Sequence, residues 1–180
     1  MAEHENSIGE SDDWYTPPEI FEALGIQFEL DPCSPGVGHW VPATHVYTRD
    51  DDGLVQPWSG SVFMNPPFGG RNGHVPWLRK FFDHGDGVCI VRAYTSSDWW
   101  HENMHRAHGI LFPKGKTKFI PSPSLRMDLD ARAKAAGRTE WRSAPGHGVV
   151  LVGMGFECCA ALENSKLGMY WNRSRDLIAA

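Results

Sequence analysis

The stretch Ser61–Gly70, SVFMNPPFGG, runs four residues of strand character into an amide, two prolines, an aromatic ring and two glycines. A strand stopped at so rigid a corner is the point from which the rest of the chain can be read. Pro66 and Pro67 fix φ, push Asn65 and Pro66 toward extended geometry and offer no N–H. The corner therefore presents acceptors, the Asn65 side-chain oxygen and the Pro66 carbonyl, followed by the flat apolar face of Phe68.

Outward from this corner the pattern alternates. Downstream, Val75, Leu78, Phe81 and Phe82 recur at helical spacing between His74 and His84. GVCIVRAY then reads as a buried strand, SSDWWHENMHRAH as a helix capped by Ser96 or Ser97, and GILF as another strand. Upstream, Thr16 precedes Pro17 and Pro18 with Glu19 at capping-box spacing, which predicts a helix over Pro17–Leu24 stopped by Gly25. IQFEL reads as a strand ending at Asp31-Pro32, and the Gly-, Pro- and Asp-rich run after it reads mostly as loop. Residues 114–147 break the rhythm with Pro, Gly and charge, leaving a long loop with a helix in DLDARAKAAG. GVVLVGMGF restores a strand and ECCAALENSK a last helix. Strands alternating with helices predict an α/β sheet with mostly parallel neighbours.

A chain of 180 residues, 41% hydrophobic with eight Trp, can build one core, so a single domain over 1–180 is expected, preceded by a mobile acidic tail at 1–12. No apolar run is long enough to span a bilayer, and the acidic N-terminus lacks the form of a signal peptide, which points to the cytoplasm. The four cysteines form no CxxC pair, so neither a zinc ribbon nor a disulfide framework is suggested. Net charge is −5, yet residues 114–142 carry eight Lys or Arg against three acids. A basic segment thus sits inside an acidic protein.

Two acceptors aimed at the N–H bonds of an exocyclic amine would favour a pyramidal nitrogen and localise its lone pair, while a ring stacks on the base. NPPF after a strand resembles the motif of S-adenosylmethionine-dependent amino-methyltransferases. The order DDWYTPPEIFEAL, FELDPCSP, DDDGLVQPWSGSVFMNPPF, WLRKF and SSDWWHENM is similar to the small phage-type DNA N6-adenine methyltransferases. The resemblance implies a compact Rossmann-like fold, acting in the host cytoplasm on a flipped adenine in DNA. It implies catalytic roles for Asn65, Pro66, Pro67 and Phe68, with the first two accepting from the amine and Phe68 stacking. For the cofactor it implies Thr16 and Pro17, Asp31 with Pro32 and Cys33, Asn65, and Asp52, for whose role Asp50 and Asp51 compete. The glycine-rich loop of the broader pattern is present only in part, as Gly36 and Gly38, and the 22 residues from there to Ser61 are too few for two further helix–strand units. The sheet is therefore expected to be reduced in its first half.

The basic segment suggests phosphate contacts, with Lys114, Lys116 and Lys118 as candidates and Arg126 and Arg142 suited to base edges through bidentate guanidinium geometry. Two rival readings compete with methyl transfer. One is a DNA-binding module whose methyltransferase-like pocket no longer turns over. The other is a zinc hydrolase, because HENMH at His101–His105 satisfies H-E-x-x-H on an expected helix, although no third ligand is recognisable.

Overall fold

The computed structural model describes residues 14–36, 38–67, 73–140 and 147–173; the acidic tail, Phe68 and Arg142 lie outside the described residues. The chain runs through β1 (Trp14–Tyr15), α1 (Pro18–Leu24), β2 (Phe28–Asp31), β3 (Ala43–Val46), β4 (Val62–Met64), α2 (Val75–His84), β5 (Gly87–Arg92) and α3 (Asp98–Asn103). It continues through β6 (Gly109–Pro113), β7 (Ile120–Pro121), α4 (Pro123–Ala135), β8 (Val149–Met154), α5 (Phe156–Asn164) and β9 (Gly168–Asn172).

Seven strands make one sheet in the order β3-β2-β4-β5-β8-β6-β9, and β1 pairs with β7 in a separate antiparallel ladder. β3, β2, β4 and β5 are mutually parallel. β8 is antiparallel to both β5 and β6, and β9 is antiparallel to β6. The expectation of mostly parallel neighbours thus holds for one half of the sheet and is corrected in the other. The cause is connectivity. After β6 the chain forms the basic insert beyond the carboxyl end of the sheet and re-enters from that same end, so β8 has to run the opposite way.

Two apolar layers flank the sheet. Val62, Met64, Cys89 and Val91 pack with Trp77, Leu78, Phe81 and Phe82 of α2 and Trp99 of α3. Phe63, Val88, Ile90 and Leu151 pack with Ile20, Phe21 and Leu24 of α1 and Cys158, Ala161 and Leu162 of α5. Side chains of a strand alternate between faces, so three consecutive buried residues in β4 serve both layers. Phe63 meets Phe21 edge-on at 4.6 Å and Phe28 at 5.5 Å, an anchor whose loss would cost ~3–5 kcal/mol. It fixes the strand from which Asn65 follows.

Local departures have physical causes. α1 begins one residue later than expected, with Pro17 as N-cap at φ −67, ψ 145 and no side-chain cap bond, so the Thr16–Glu19 capping box does not form. Pro17 occupies the N-cap place, so Thr16 stands outside the helix and its side chain is released for other use. Gly25 closes α1 in the left-handed region at φ 63. Ser97 caps α3 without a side-chain bond to it, its Oγ donating instead to Tyr94 O at 2.7 Å. Reduction of the first half takes the form of missing helices rather than missing strands: among the described residues no helix separates β2, β3 and β4.

Candidate active site

β2 and β4 are parallel neighbours, with Leu30 opposite Val62, so Asp31 and Asn65 both stand at the carboxyl end of the sheet, Asn65 two residues further out. A cavity of about 680 Å³ opens there, the usual position of ligands in open α/β sheets. Of the residues singled out from sequence, Thr16, Asp31, Pro32, Cys33, Asp50, Asp52, Asn65 and Pro67 line it. Pro17 and Pro66 are buried but do not line the cavity. Phe68 lies outside the described residues.

Asn65 is held by its own amide. Nδ2 donates to Trp14 O at 2.9 Å, and because a carbonyl only accepts, this bond fixes which way the amide points. Oδ1 is left buried with no hydrogen-bond partner. A buried acceptor without a donor costs about 1–3 kcal/mol, so the site is built for a donor brought from outside. Thr16 repeats the arrangement: 3% exposed, its carbonyl accepts from Trp40 Nε1 at 2.8 Å while Oγ1 has no partner.

Asp31 is 3% exposed and accepts a hydrogen bond from Cys33 N at 3.0 Å. Burial pushes its carboxyl up to about 7, against the opposing pull of the Cys33 N–H. The Cys33 thiol is raised well above its ordinary value by burial and then by the Asp31 charge. Such a carboxyl, costly to ionise alone, suits a ligand that carries positive charge.

The three competing aspartates separate by partner. Asp51 accepts from Thr48 N at 2.8 Å and Thr48 Oγ1 at 2.7 Å, bonds that hold its carboxyl below the usual range, and it does not line the cavity. Asp50 and Asp52 do. Asp52 adopts φ 53 and caps its own turn by accepting from Leu54 N. The next residue has to be glycine for lack of space, since a Cβ on Gly53 would stand 2.1 Å from Pro32 O.

Lys80 of α2 clamps this loop. Its Nζ donates to Gly53 O at 3.0 Å, Leu54 O at 2.7 Å and Gln56 O, and lies over the Trp58 ring at 5.0 Å, while Trp58 Nε1 donates to Gly53 O at 2.8 Å. Sequence reading passes over Lys80 because it takes part through backbone carbonyls, which carry no side-chain signature. Lys80→Met is expected to raise the KM for the cavity's small-molecule ligand about tenfold with little change in kcat at saturation, since the loop carrying Asp52 loses its anchor while Asn65 is untouched. Steady-state kinetics read this directly, and an unchanged KM would remove the positioning role.

Within its described residues the basic insert carries more regular structure than a loop with one helix. It holds β7 and the 13-residue α4, where Ser122 Oγ accepts from Leu125 N at 3.2 Å with Pro123 in the first turn. Pairing of β7 with β1 brings Ser122 and Ser124 to the cavity wall, a placement that no sequence motif signals. Lys114, Lys116 and Lys118 are exposed between β6 and β7. Arg126 pairs with Asp130 at 3.0 Å and Glu140 at 3.9 Å, and Arg142 lies outside the described residues.

In HENMH, α3 ends at Asn103 and Met104–Arg106 forms a single 3₁₀ turn. His101 and His105 therefore do not share one face of a continuous α-helix, and both are exposed. Among the described residues no group of three or more His, Cys, Asp or Glu is arranged to hold a metal ion, nor is any helix long and apolar enough to cross a membrane.

No curated protein and no solved structure matches the chain. A family model described as DNA N-6-adenine-methyltransferase (Dam) matches residues 5–141, a span that includes the cavity wall, the Asn65 corner and most of the basic insert. The chain belongs to the DNA N-6-adenine-methyltransferase (Dam) family.

Proposed function

We propose that the protein transfers the methyl group of S-adenosylmethionine to N6 of an adenine turned out of DNA, in the cytoplasm of a host cell. The observation that carries this reading is the fixed Asn65 amide with its buried, unpartnered Oδ1 at the carboxyl end of β4. Family membership supplies the substrate class.

The residues present fit the cofactor: the buried Asp31 carboxyl suits its positive charge, Thr16 Oγ1 is an unused polar atom on the same cavity, and Asp50 and Asp52 offer carboxylates for hydroxyl groups. Bound S-adenosylmethionine supplies an electrophilic methyl group. Asn65 Oδ1 accepts an N–H of the adenine amine, which favours turning the nitrogen lone pair out of conjugation and along the line of attack. Phe68 stacks on the base. Positioning and acceptor hydrogen bonds are then the main catalytic contributions, realised most strongly as the nitrogen becomes positive. The exposed Lys114, Lys116 and Lys118 suit DNA phosphates. Ion pairs as exposed as those of Arg126 contribute under about 1 kcal/mol, so a phosphate or base edge can displace them.

The test offers isotopically labelled cofactor to oligonucleotides with and without adenine and maps the product. Label on N6, only where adenine is present, is the expected result. DNA that is bound but never labelled would replace this reading with that of a non-catalytic DNA-binding module.

A further inference from the structure

Four adjacent strands, β4-β5-β8-β6, bring chain segments to the same edge of the sheet. β4 ends before Asn65; β5 ends at Arg92 and is followed by Tyr94; β8 begins just after His147; β6 ends before Lys114 and Lys116. With strands about 4.8 Å apart, this row runs ~14 Å away from the Asn65 corner. Met64 pairs with Cys89, so Arg92 stands one strand over and two residues further out than Asn65, ~7 Å at about 3.3 Å per residue.

At the middle of the row an aromatic face is held among cations. Tyr94 is 45% exposed, its ring lies 5.8 Å from the Arg92 guanidinium carbon, and it meets the His147 ring at 6.1 Å. The backbone beneath it is stiff: Tyr94 O accepts from both Ser97 N at 3.0 Å and Ser97 Oγ at 2.7 Å, and Ala93 N donates to Gly148 O at 2.9 Å. Burial, followed by the charges of Arg92 and Lys116, holds His147 down to about 4, so the imidazole adds no charge of its own at pH 7.

We infer that Tyr94, Arg92 and Lys116 form a second nucleotide-binding step, which takes a DNA nucleotide flanking the target adenine, its base stacked on Tyr94 and its phosphate on the two cations. The inference rests on the proposed reaction. A rigid exposed ring beside cations is the arrangement by which proteins hold an unstacked base without reading its sequence. It stands one strand from Asn65, on the side of the sheet edge away from the cofactor residues of β2. The cofactor half of the edge, on β2 and β4, and the DNA half, on β5, β8 and β6, would then meet at Asn65.

The test measures DNA affinity and single-turnover methyl transfer for Tyr94→Ala, Tyr94→Phe and Lys116→Ala, with cofactor affinity as the control for folding. Tyr94→Ala is expected to weaken DNA binding roughly 10- to 100-fold, with Tyr94→Phe within about twofold of the parent because the ring is kept. Lys116→Ala is expected to reduce the slope of log affinity against log salt by about one. An abasic residue beside the target adenine should weaken the parent protein but not Tyr94→Ala. Equal losses in both, or a Tyr94→Ala protein that binds and methylates like the parent, would overturn this inference while leaving the reaction intact. A parent protein that neither binds nor labels DNA would overturn the reaction and this inference together.

Discussion

Asn65→Ala is expected to lower kcat about 100- to 1,000-fold at saturating cofactor, the scale seen when one preorganised hydrogen-bonding group is removed from a transition state. The folded protein should tolerate the change. Alanine removes the bond from Nδ2 to Trp14 O, worth about 1 kcal/mol, and also removes the unpartnered Oδ1, a burden of similar size. Thermal stability should therefore move by no more than a few degrees, which separates catalysis from folding. Asn65→Asp discriminates further: it keeps an acceptor for the amine but cannot donate to Trp14 O, so it should retain more activity than alanine with a less firmly placed side chain. If Asn65→Ala kept more than a tenth of the parent kcat, the acceptor role would be lost.

That corner could be read from sequence because its cause is local. Two prolines dictate backbone geometry wherever they occur, and the apolar runs of β4, β5 and β8 are long enough to show strands without tertiary help. Edge strands were hidden for the opposite reason. Ala43–Val46 contains Thr and His, with both middle residues exposed, and only pairing with β2 makes it a strand. Gly168–Asn172 pairs with β6 alone, half-buries alternate residues and leaves Met169 and Trp171 exposed. The antiparallel placement of β8 was equally out of reach, because the order of strands in a sheet depends on where the insert begins and ends in space.

The site divides in the same way. Asp31, Thr16 and Asn65 stand in motifs legible in the sequence, and the structure brings all three to one cavity. Their state was not legible: the carbonyl bond that holds Thr16 and the amide bond that leaves Asn65 Oδ1 orphaned come from partners 24 and 51 residues away. Lys80 and the Trp14 carbonyl were missed altogether, since each contributes through backbone atoms of distant segments.

Asp31→Asn should make the ligand-free protein more stable and the cofactor weaker bound, opposite signs that a merely structural aspartate would not give. Burial carries the carboxyl from 3.8 to about 7 in the fold. At about 1.4 kcal/mol per tenfold change, ionising it above pH 7 costs on the order of 4 kcal/mol. Because the folded value lies above the unfolded one, this stability is fully present below pH 3.8 and is lost as pH rises through about 7. Asparagine keeps the acceptor for Cys33 N and has nothing to ionise. Its melting temperature should exceed the parent's at pH 8 and match it near pH 4. Cofactor binding reverses the balance, because a cationic ligand stabilises the charged carboxylate. Affinity of the parent should rise from pH 5 to pH 8, with proton release on binding at the acid end. The variant should lose that pH dependence and bind roughly 10- to 100-fold more weakly at pH 8, the range for a hydrogen bond to a charged group. Calorimetry at several pH values, in buffers of different ionisation enthalpy, measures affinity and proton release together. Retention of the full pH dependence in Asp31→Asn would assign it to another group and end the case for Asp31 as the cofactor's counter-ion.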